Sequence, residues 1–513
     1  MGAGRGGGGK CSSTAVATVM TNGVRAAALL WLVICVASAE AQGFRIAGSS
    51  LGNYVELRPV APDSIADSLT TGSGLVRQSA VGIVSCPEGQ TRCYFYRSLD
   101  RTHTVPLTQD VEVTGWGFGE GVSIYAHIRA AANAGGTDEL WTRENDRFNA
   151  LAAYVEVERD RWTARAGRQW FTSQLGVNNF DGVSLALRST RRLTVEGYAG
   201  SSLIQGLSEP PTSSELAAAD VLPPDVRGIV LGGTVRWRPA PTFAVGAEYQ
   251  RVIRSDRAGF YSDRLAIDGV FIARGISFIA DAQADFATHA LNELRIRASR
   301  PLWYRIETGV EAVHSTPFFP LWTIWGVFSP VGFNEARADA RWRSEDGNLS
   351  IALGGGYRRY QNTHTGVGFL PLRDDGWTAI TSGTWRFRPA WETWGTYRRD
   401  IGFGASNSEG DVGIRWSGVN RVSLGATGSV IQGIYEFRVA SGYVAGGSVD
   451  AAFPLTSEIR LAAQAGVYRQ IAANTPSTTM NWSQRRAFIR LDWSVGSDPG
   501  MSAFRSVPGA RKP

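Results

Sequence analysis

The sequence predicts an all-β protein: a transmembrane up-and-down antiparallel β-barrel of about 22 strands, within a range of roughly 18–24. Three observations lead there. A period-two alternation repeats along the chain, its connections alternate between short and long, and aromatic residues gather near the ends of the alternating segments.

The alternation is plainest in NELRIRASRPLWYRIETGVEA, residues 292–312. Leu294, Ile296 and Ala298 take one parity, and Glu293, Arg295 and Arg297 the other. After Arg300-Pro301-Leu302 the pattern resumes, with Tyr304, Ile306, Thr308, Val310 and Ala312 against Arg305, Glu307, Gly309 and Glu311. Successive side chains of a strand point to opposite faces, so period two means β-structure with one apolar and one charged face. Residues 229–238, 335–343 and 489–495 repeat the pattern. Further segments begin near 44, 111, 122, 148, 161, 180, 192, 242, 261, 275, 349, 377, 391, 409, 420, 435 and 458. Each runs about 9–14 residues, the length a tilted strand needs to cross a bilayer.

The connections sort by length. Short ones include 238–241, Ala273-Arg274-Gly275, 344–348, 388–390 and 417–420; between them fall 131–145, 202–226, 315–332, 361–375 and 472–484. Short turns at one end and long loops at the other mark an outer-membrane barrel. Trp162, Trp237, Trp303, Trp342, Trp377, Trp385, Trp391 and Trp493 lie where interfacial girdles would sit. The apolar face therefore looks at lipid and the Arg/Glu face at a wet lumen. The rival is a secreted β-protein with an apolar core, but Ala280/Ala282/Ala284 and Ala336/Ala338/Ala340 are thin for a sandwich core. The segment SSELAAADV, 213–221, is the best helix candidate and sits inside a loop.

If short turns are periplasmic, the strand near 111 runs downward and needs an earlier upward strand, which 44–58 supplies. Residues 60–108 then form an extracellular or lumen-dipping loop, and the barrel domain spans 42–497. If the count is 22, loops 202–226 or 315–332 are expected to fold inward and narrow the lumen, because barrels of about that size usually hold a plug. An active transporter with a plug domain is disfavoured, since only 60–108 is available for one.

Arg25 precedes AAALLWLVICVASA, and Ala39-Glu40-Ala41 before Gln42 is an A-x-A cleavage pattern. Residues 1–41 read as an export signal, with Met20 a plausible true start. Net charge is +6, and removing Arg5, Lys10, Arg25 and Glu40 leaves +4. No basic block interleaves with aromatics, so nucleic-acid binding is a poor reading. Two cysteines then remain, Cys86 and Cys93, close enough to form a disulfide in an exported chain; a metal or redox pair is the competing reading. Residues 498–513 read as a flexible periplasmic tail.

The stretch GRQWFTSQLGVNNFDGVSLALR, 167–188, resembles the G-R-Q … L-G … F-D-G-V segment of bacterial outer-membrane porins of the alginate-export type. The matching residues are Gly167, Arg168, Gln169, Leu175, Gly176, Phe180, Asp181, Gly182 and Val183. The resemblance implies a passive outer-membrane channel, of about 18 strands in that family. Physically, 176–179 would let a loop turn sharply over the lumen; the blander reading is a strand–loop–strand whose glycines ease a turn.

Catalytic and cofactor chemistry finds no foothold. The five histidines are scattered and there is no C-x-x-C-H. G-S-S-L-G around Ser50 lies in the expected first strand rather than at a strand-to-helix elbow. The P-loop-like GRGGGGK, 4–10, lacks the Ser/Thr and would be cleaved off. No cofactor, metal or enzyme activity is expected.

The remaining clue is charge on the inward parity. Predicted pore-lining positions are Arg129, Arg165, Arg236, Arg238, Arg295, Arg297, Arg305, Arg337, Arg341, Arg343, Arg358, Arg386 and Arg388, interleaved with Glu156, Glu158, Glu248, Asp281, Glu293, Glu307, Glu335 and Asp339. Such rings set ion selectivity, or hold strands in register through ion pairs. The slight positive balance suggests weak anion preference. The first functional reading is a porin-like channel for small polar or charged solutes, with outer-membrane lipid and the barrel-assembly machinery as partners. The second is a barrel that sheathes or exports a partner in its lumen, a cytochrome or a polysaccharide. The third, a barrel enzyme, would need a Ser/His/Asp cluster on the rim.

Overall fold

The computed structural model describes residues 43–496 apart from 58–59, 75, 87–88, 137–147, 191, 204–227, 255–259, 288, 304, 317–331, 362–373, 403–404, 419–420, 436–440 and 474–481. The expected signal segment, the tail and the helix candidate 213–221 lie outside the described residues.

Twenty-two antiparallel strands, from Gly43–Leu57 and Thr102–Trp116 through to Trp482–Gly496, form one sheet. Gly43–Leu57 pairs with Thr102–Trp116 on one edge and Trp482–Gly496 on the other, with Arg45 opposite both Thr114 and Gly496, so the sheet closes. Closure satisfies every strand's backbone groups laterally, the condition for β-structure in a bilayer. The strands run 10 to 15 residues, a bilayer crossing each. The resemblance to alginate-export porins implied fewer; this barrel is the wider 22-strand form.

Both strand termini, Gly43 and Gly496, lie at the end that carries the short turns. These include Arg274-Gly275, both with positive φ (50° and 78°), the conformation of a type I′ hairpin that matches strand twist. The opposite end carries the long connections but also five of five residues or fewer, at 174–175, 255–259, 286–289, 403–404 and 436–440, so the sorting by length is less strict than the sequence implied. The expected loop 60–108 ends sooner, because Thr102–Trp116 is already barrel strand. The insertion before it folds into its own five-stranded sheet, Val60–Ala66, Thr70–Thr71, Val76–Ser79, Gly82–Ser85 and Arg92–Ser98. The Cys86–Cys93 disulfide lies in its small core with Val84, against Ile65 and Phe95.

The register carries one face around the whole barrel. Ile296 faces Ala280 and Ala312, and Val310 faces Ala298 and Ala338. This face exposes Ile296, Val310, Leu353, Val412, Val449 and Val467, all near half of their surface or more. Its Ala and Gly positions tolerate thin side chains because lipid, not a second sheet, covers them. Near the short-turn end the outer face carries Trp237 and Trp385; near the other end it carries Tyr54, Tyr357, Tyr397 and Tyr443, all exposed. An apolar band between two aromatic rings is the exterior of a transmembrane barrel of the bacterial outer membrane.

Candidate functional site

The opposite, inward face is charged, and one hairpin folds across it. Residues 162–190 form two strands, Trp162–Ser173 and Gly176–Thr190, joined by the two-residue turn Gln174-Leu175. Ser173 Oγ accepts from the Leu175 amide at 3.2 Å and donates to the Gly176 carbonyl at 3.2 Å, and Gly176 takes a positive φ. Lower down, Gly167 and Gly182 are register partners. Gly167 has φ 128°, and a Cβ there would fall on the Ala153 carbonyl; one on Gly182 would fall on the Ala199 carbonyl. Only glycine allows that closeness and that conformation.

Above this pair the hairpin leaves its neighbour. Pairing between Trp162–Ser173 and Phe148–Glu158 stops at Arg168↔Ala153, while the hairpin's own ladder continues to Ser173↔Gly176. The departure strips ladder partners from the Phe148–Glu158 strand, and side chains replace them. Arg168 Nη1 donates to the Ala150 carbonyl at 2.9 Å, and Asn179 Nδ2 to the Leu151 carbonyl at 3.3 Å. Asp181 holds Arg168 with two bonds, 2.8 and 3.0 Å. Gln169 donates to the Gly182 carbonyl at 3.1 Å and accepts from Ser184 at 2.7 Å. The G-R-Q and F-D-G residues thus form one hinge. The hinge sits at Gly167 and Gly182, while the sharp turn expected at 176–179 falls just before it, at Gln174-Leu175, with Gly176 at positive φ on its edge.

The leaning hairpin docks on distant strands. Phe171 and the fully buried Phe180 pack on Tyr198, with Val230 and Val252 completing an apolar cluster; the Phe171 and Tyr198 rings lie 4.2 Å apart. At the tip, the Gln174 amide donates to Glu248 at 3.2 Å, Arg264 donates to the Leu175 carbonyl at 2.8 Å, and Gln283 donates to the Gln174 carbonyl at 3.2 Å. Each of these groups makes at least one hydrogen bond, which offsets the cost of burying it, although Gln174 Oε1 and Glu248 Oε1 find no partner among the described residues. On the other side Trp170 lies 5.9 Å, ring to ring, from His127. The loops 202–226 and 315–332, expected to narrow the lumen, fall mainly outside the described residues.

Beside the hairpin's Phe171 and Ser173 the wall encloses a chamber of about 1150 Å³, with Glu156, Arg165, Glu196 and Arg236 among its charged groups. Arg165 pairs with Glu156 at 2.5 Å, and Arg188 with Glu158 at 3.2 Å. Further round, Arg129 meets Asp110 at 2.8 Å. Arg295 reaches Glu293 and Glu311, and Arg297 reaches Glu311 and Asp339. Arg337 and Arg358 converge on Glu335, whose side chain is fully buried, at 2.7 and 3.1 Å. Asp281 stands in register with Arg295, and Arg341 with Glu307. Arg305 pairs with Glu345 and Arg386 with Glu392, both near the short-turn end, where Arg238, Arg343 and Arg388 also lie. Glu248 accepts from the hairpin tip.

The sequence did not mark out Tyr198, Arg264 and Gln283, which receive the hairpin, nor Gln250, which donates to the Tyr198 hydroxyl at 3.1 Å. Their parity placed them inward, but nothing local distinguishes a docking residue from any other inward side chain. Ser50 stands within Gly43–Leu57 with its hydroxyl on Gln109. Asp67 approaches Cys86 and Cys93, but those thiols are spent in the disulfide.

No protein-family model matches the sequence, and no curated protein matches it. Among solved structures the chain is similar to OccAB1 from Acinetobacter baumannii, at 11% identity over 90% of this chain and 99% of that one, with a TM-score of 0.37. It is also similar to a BenF-like porin from Pseudomonas fluorescens Pf-5, at 9% identity over 89% and 100%, TM-score 0.40. A third is the outer membrane protein OprD from Pseudomonas aeruginosa, at 9% identity over 89% and 96%, TM-score 0.34. Such scores give no residue-by-residue correspondence, and the functional reading below comes from this barrel's own geometry.

Proposed function

We propose that the protein is an outer-membrane channel through which small polar or charged solutes diffuse, and that the 168–181 hairpin sets its throat. The observation that carries this reading is the hairpin docked across a charged inner face, with a chamber of about 1150 Å³ left open beside it. Inward charges are mostly paired with one another, so the wall is polar without a strong excess of one sign, which suits small hydrated solutes and a weak anion preference. A hairpin fixed within the lumen weighs against the rival in which a partner protein fills the barrel.

The test is the purified protein in a planar lipid bilayer under a KCl gradient. Discrete conductance steps and a reversal potential on the anion side are expected. A verifiably folded barrel without conductance would overturn the channel, and a cation-side potential would overturn the anion preference.

A further inference from the structure

Three Arg-Arg dipeptides sit toward the long-loop end of their strands: Arg358-Arg359, Arg398-Arg399 and Arg485-Arg486. Alternation sends one arginine of each to either face. The inward members find partners. Arg358 pairs with Glu335 and Asp400, Arg398 with Asp400 and Glu409, and Arg486 lies over the Tyr468 ring and donates to Gln484. Among the outward members, Arg399 lies over the outward Trp377 ring, 5.6 Å from its centre. Arg359, Arg399 and Arg485, joined on the outer face by Arg469, are exposed and form no ion pair among the described residues. Arg359 and Arg399 each follow an exposed outward tyrosine by two residues, in the repeated Tyr357-Arg358-Arg359 and Tyr397-Arg398-Arg399.

Their depth is telling. Arg399 lies eight residues beyond Trp391, and Arg485 eight from Trp493 at the short-turn end. Counted inclusively that is nine residues, and about nine to eleven tilted strand residues span the hydrocarbon, so these guanidinium groups reach the headgroup level of the far leaflet, just beyond the tyrosine ring. Two acids share that zone. Glu56 accepts from the Arg485 backbone amide, and Asp375 stands in register with Arg359 without an ion pair.

Below two of these arginines the outer face is hollow. Under Arg485 a groove of about 860 Å³ is floored by Ala426, Gly428, Gly447, Ala465 and Val467. A second, of about 430 Å³, runs past Ile296, Ala312 and Ala336 to His314, Tyr357 and Arg359. Small outward residues between larger ones leave apolar troughs, each lined at one end by an arginine, Arg485 or Arg359. Arg presents a planar fork that fits phosphate oxygens two at a time.

We propose that these outer-face arginines bind the phosphates of a phosphorylated, multiply acylated glycolipid of the outer leaflet, with acyl chains lying in the two grooves. The inference rests on the outer-membrane setting of the barrel. The test uses delipidated full-length protein in detergent and native mass spectrometry, with lipid A, dephosphorylated lipid A and phosphatidylcholine as probes. The quadruple variant R359Q/R399Q/R469Q/R485Q is compared with wild type. Wild type should retain lipid A, and the variant should retain it roughly tenfold or more less well, as expected for loss of charge-assisted hydrogen bonds. R398Q, altered only on the inner face, should retain it like wild type. Equal retention by the quadruple variant, or equal retention of the dephosphorylated lipid, would overturn the proposal. Bilayer recordings of the same preparations separate the two readings: conductance without lipid retention sinks this one alone, and retention without conductance sinks the channel alone.

Discussion

Arg168 and Asp181 close a two-pronged ion pair, 2.8 and 3.0 Å, one register step above the Gly167–Gly182 contact where the hairpin parts from its neighbour. The same guanidinium group donates to the Ala150 carbonyl that the parting leaves without a ladder partner. Asp181→Ala removes the clamp. Losing a charge-assisted bond weakens docking by about 2 kcal/mol, a roughly thirtyfold rise in the undocked population. Single-channel records should show larger steps with more frequent transitions. Unchanged records would mean that the hairpin does not limit flow.

Phe180 is the most buried large side chain of the docking cluster, at 0% exposure. Phe180→Ala should cost about 3–5 kcal/mol of hairpin packing. The strand ladder is untouched, so the heat-modifiable gel shift of the folded barrel should persist while conductance rises. Loss of the gel shift would instead mean that the cluster supports the whole barrel.

Glu335 anchors two arginines from within the wall. Glu335→Gln leaves Arg337 without that carboxylate, and Arg358 with Asp400 at 3.6 Å. Breaking a buried pair costs about 3–5 kcal/mol, so the denaturation midpoint should fall. The removed negative charge should also move the reversal potential toward anions. A lowered midpoint with no shift in potential would make the trio purely structural.

The inserted five-stranded sheet has a small core, so the Cys86–Cys93 link matters there. A loop this short contributes about 2.5 kcal/mol by chain entropy. Reduction, or Cys86→Ala with Cys93→Ala, should speed proteolysis within 60–98 and leave the barrel's gel shift intact.

Asp346 lies in the short turn 344–348, outside the membrane. Ser344 Oγ donates to it at 2.5 Å, and Asn348 donates through its amide nitrogen and its side chain, at 3.1 and 2.7 Å. These bonds, the Ser344 one foremost, hold its carboxyl down at about 2. A depressed carboxylate stabilises the fold above its unfolded pKa and loses that contribution as pH falls through the folded one. The turn should therefore loosen between about pH 4 and pH 2. Asp346→Ala should abolish that step in proteolysis of the turn; a step that survives would assign it to another group.

Strands and faces were legible because alternation is local. Ile296 and Arg297 point opposite ways whatever surrounds them, and about ten such residues are enough to mark a crossing. The ion pairs of the inner wall were half legible: parity put Arg297 and Asp339 on one face, but only the register brings them to 2.8 Å across an intervening strand. The hinge motif was visible as a string of letters, while its meaning was not. Gly167 is required because Ala153 passes close by, and no local pattern reports that.

The sequence by itself thus determined an all-β chain, its strand spacing, and which side chains share a face, because these follow from backbone geometry one residue at a time. The tertiary structure decided what fills the lumen and what decorates the exterior. Gln174 meets Glu248, Arg264 meets Leu175 and Gln283 meets Gln174 over separations of 74 to 109 residues. Such meetings depend on the curvature of a closed sheet, a property of all 22 strands together and of no segment alone.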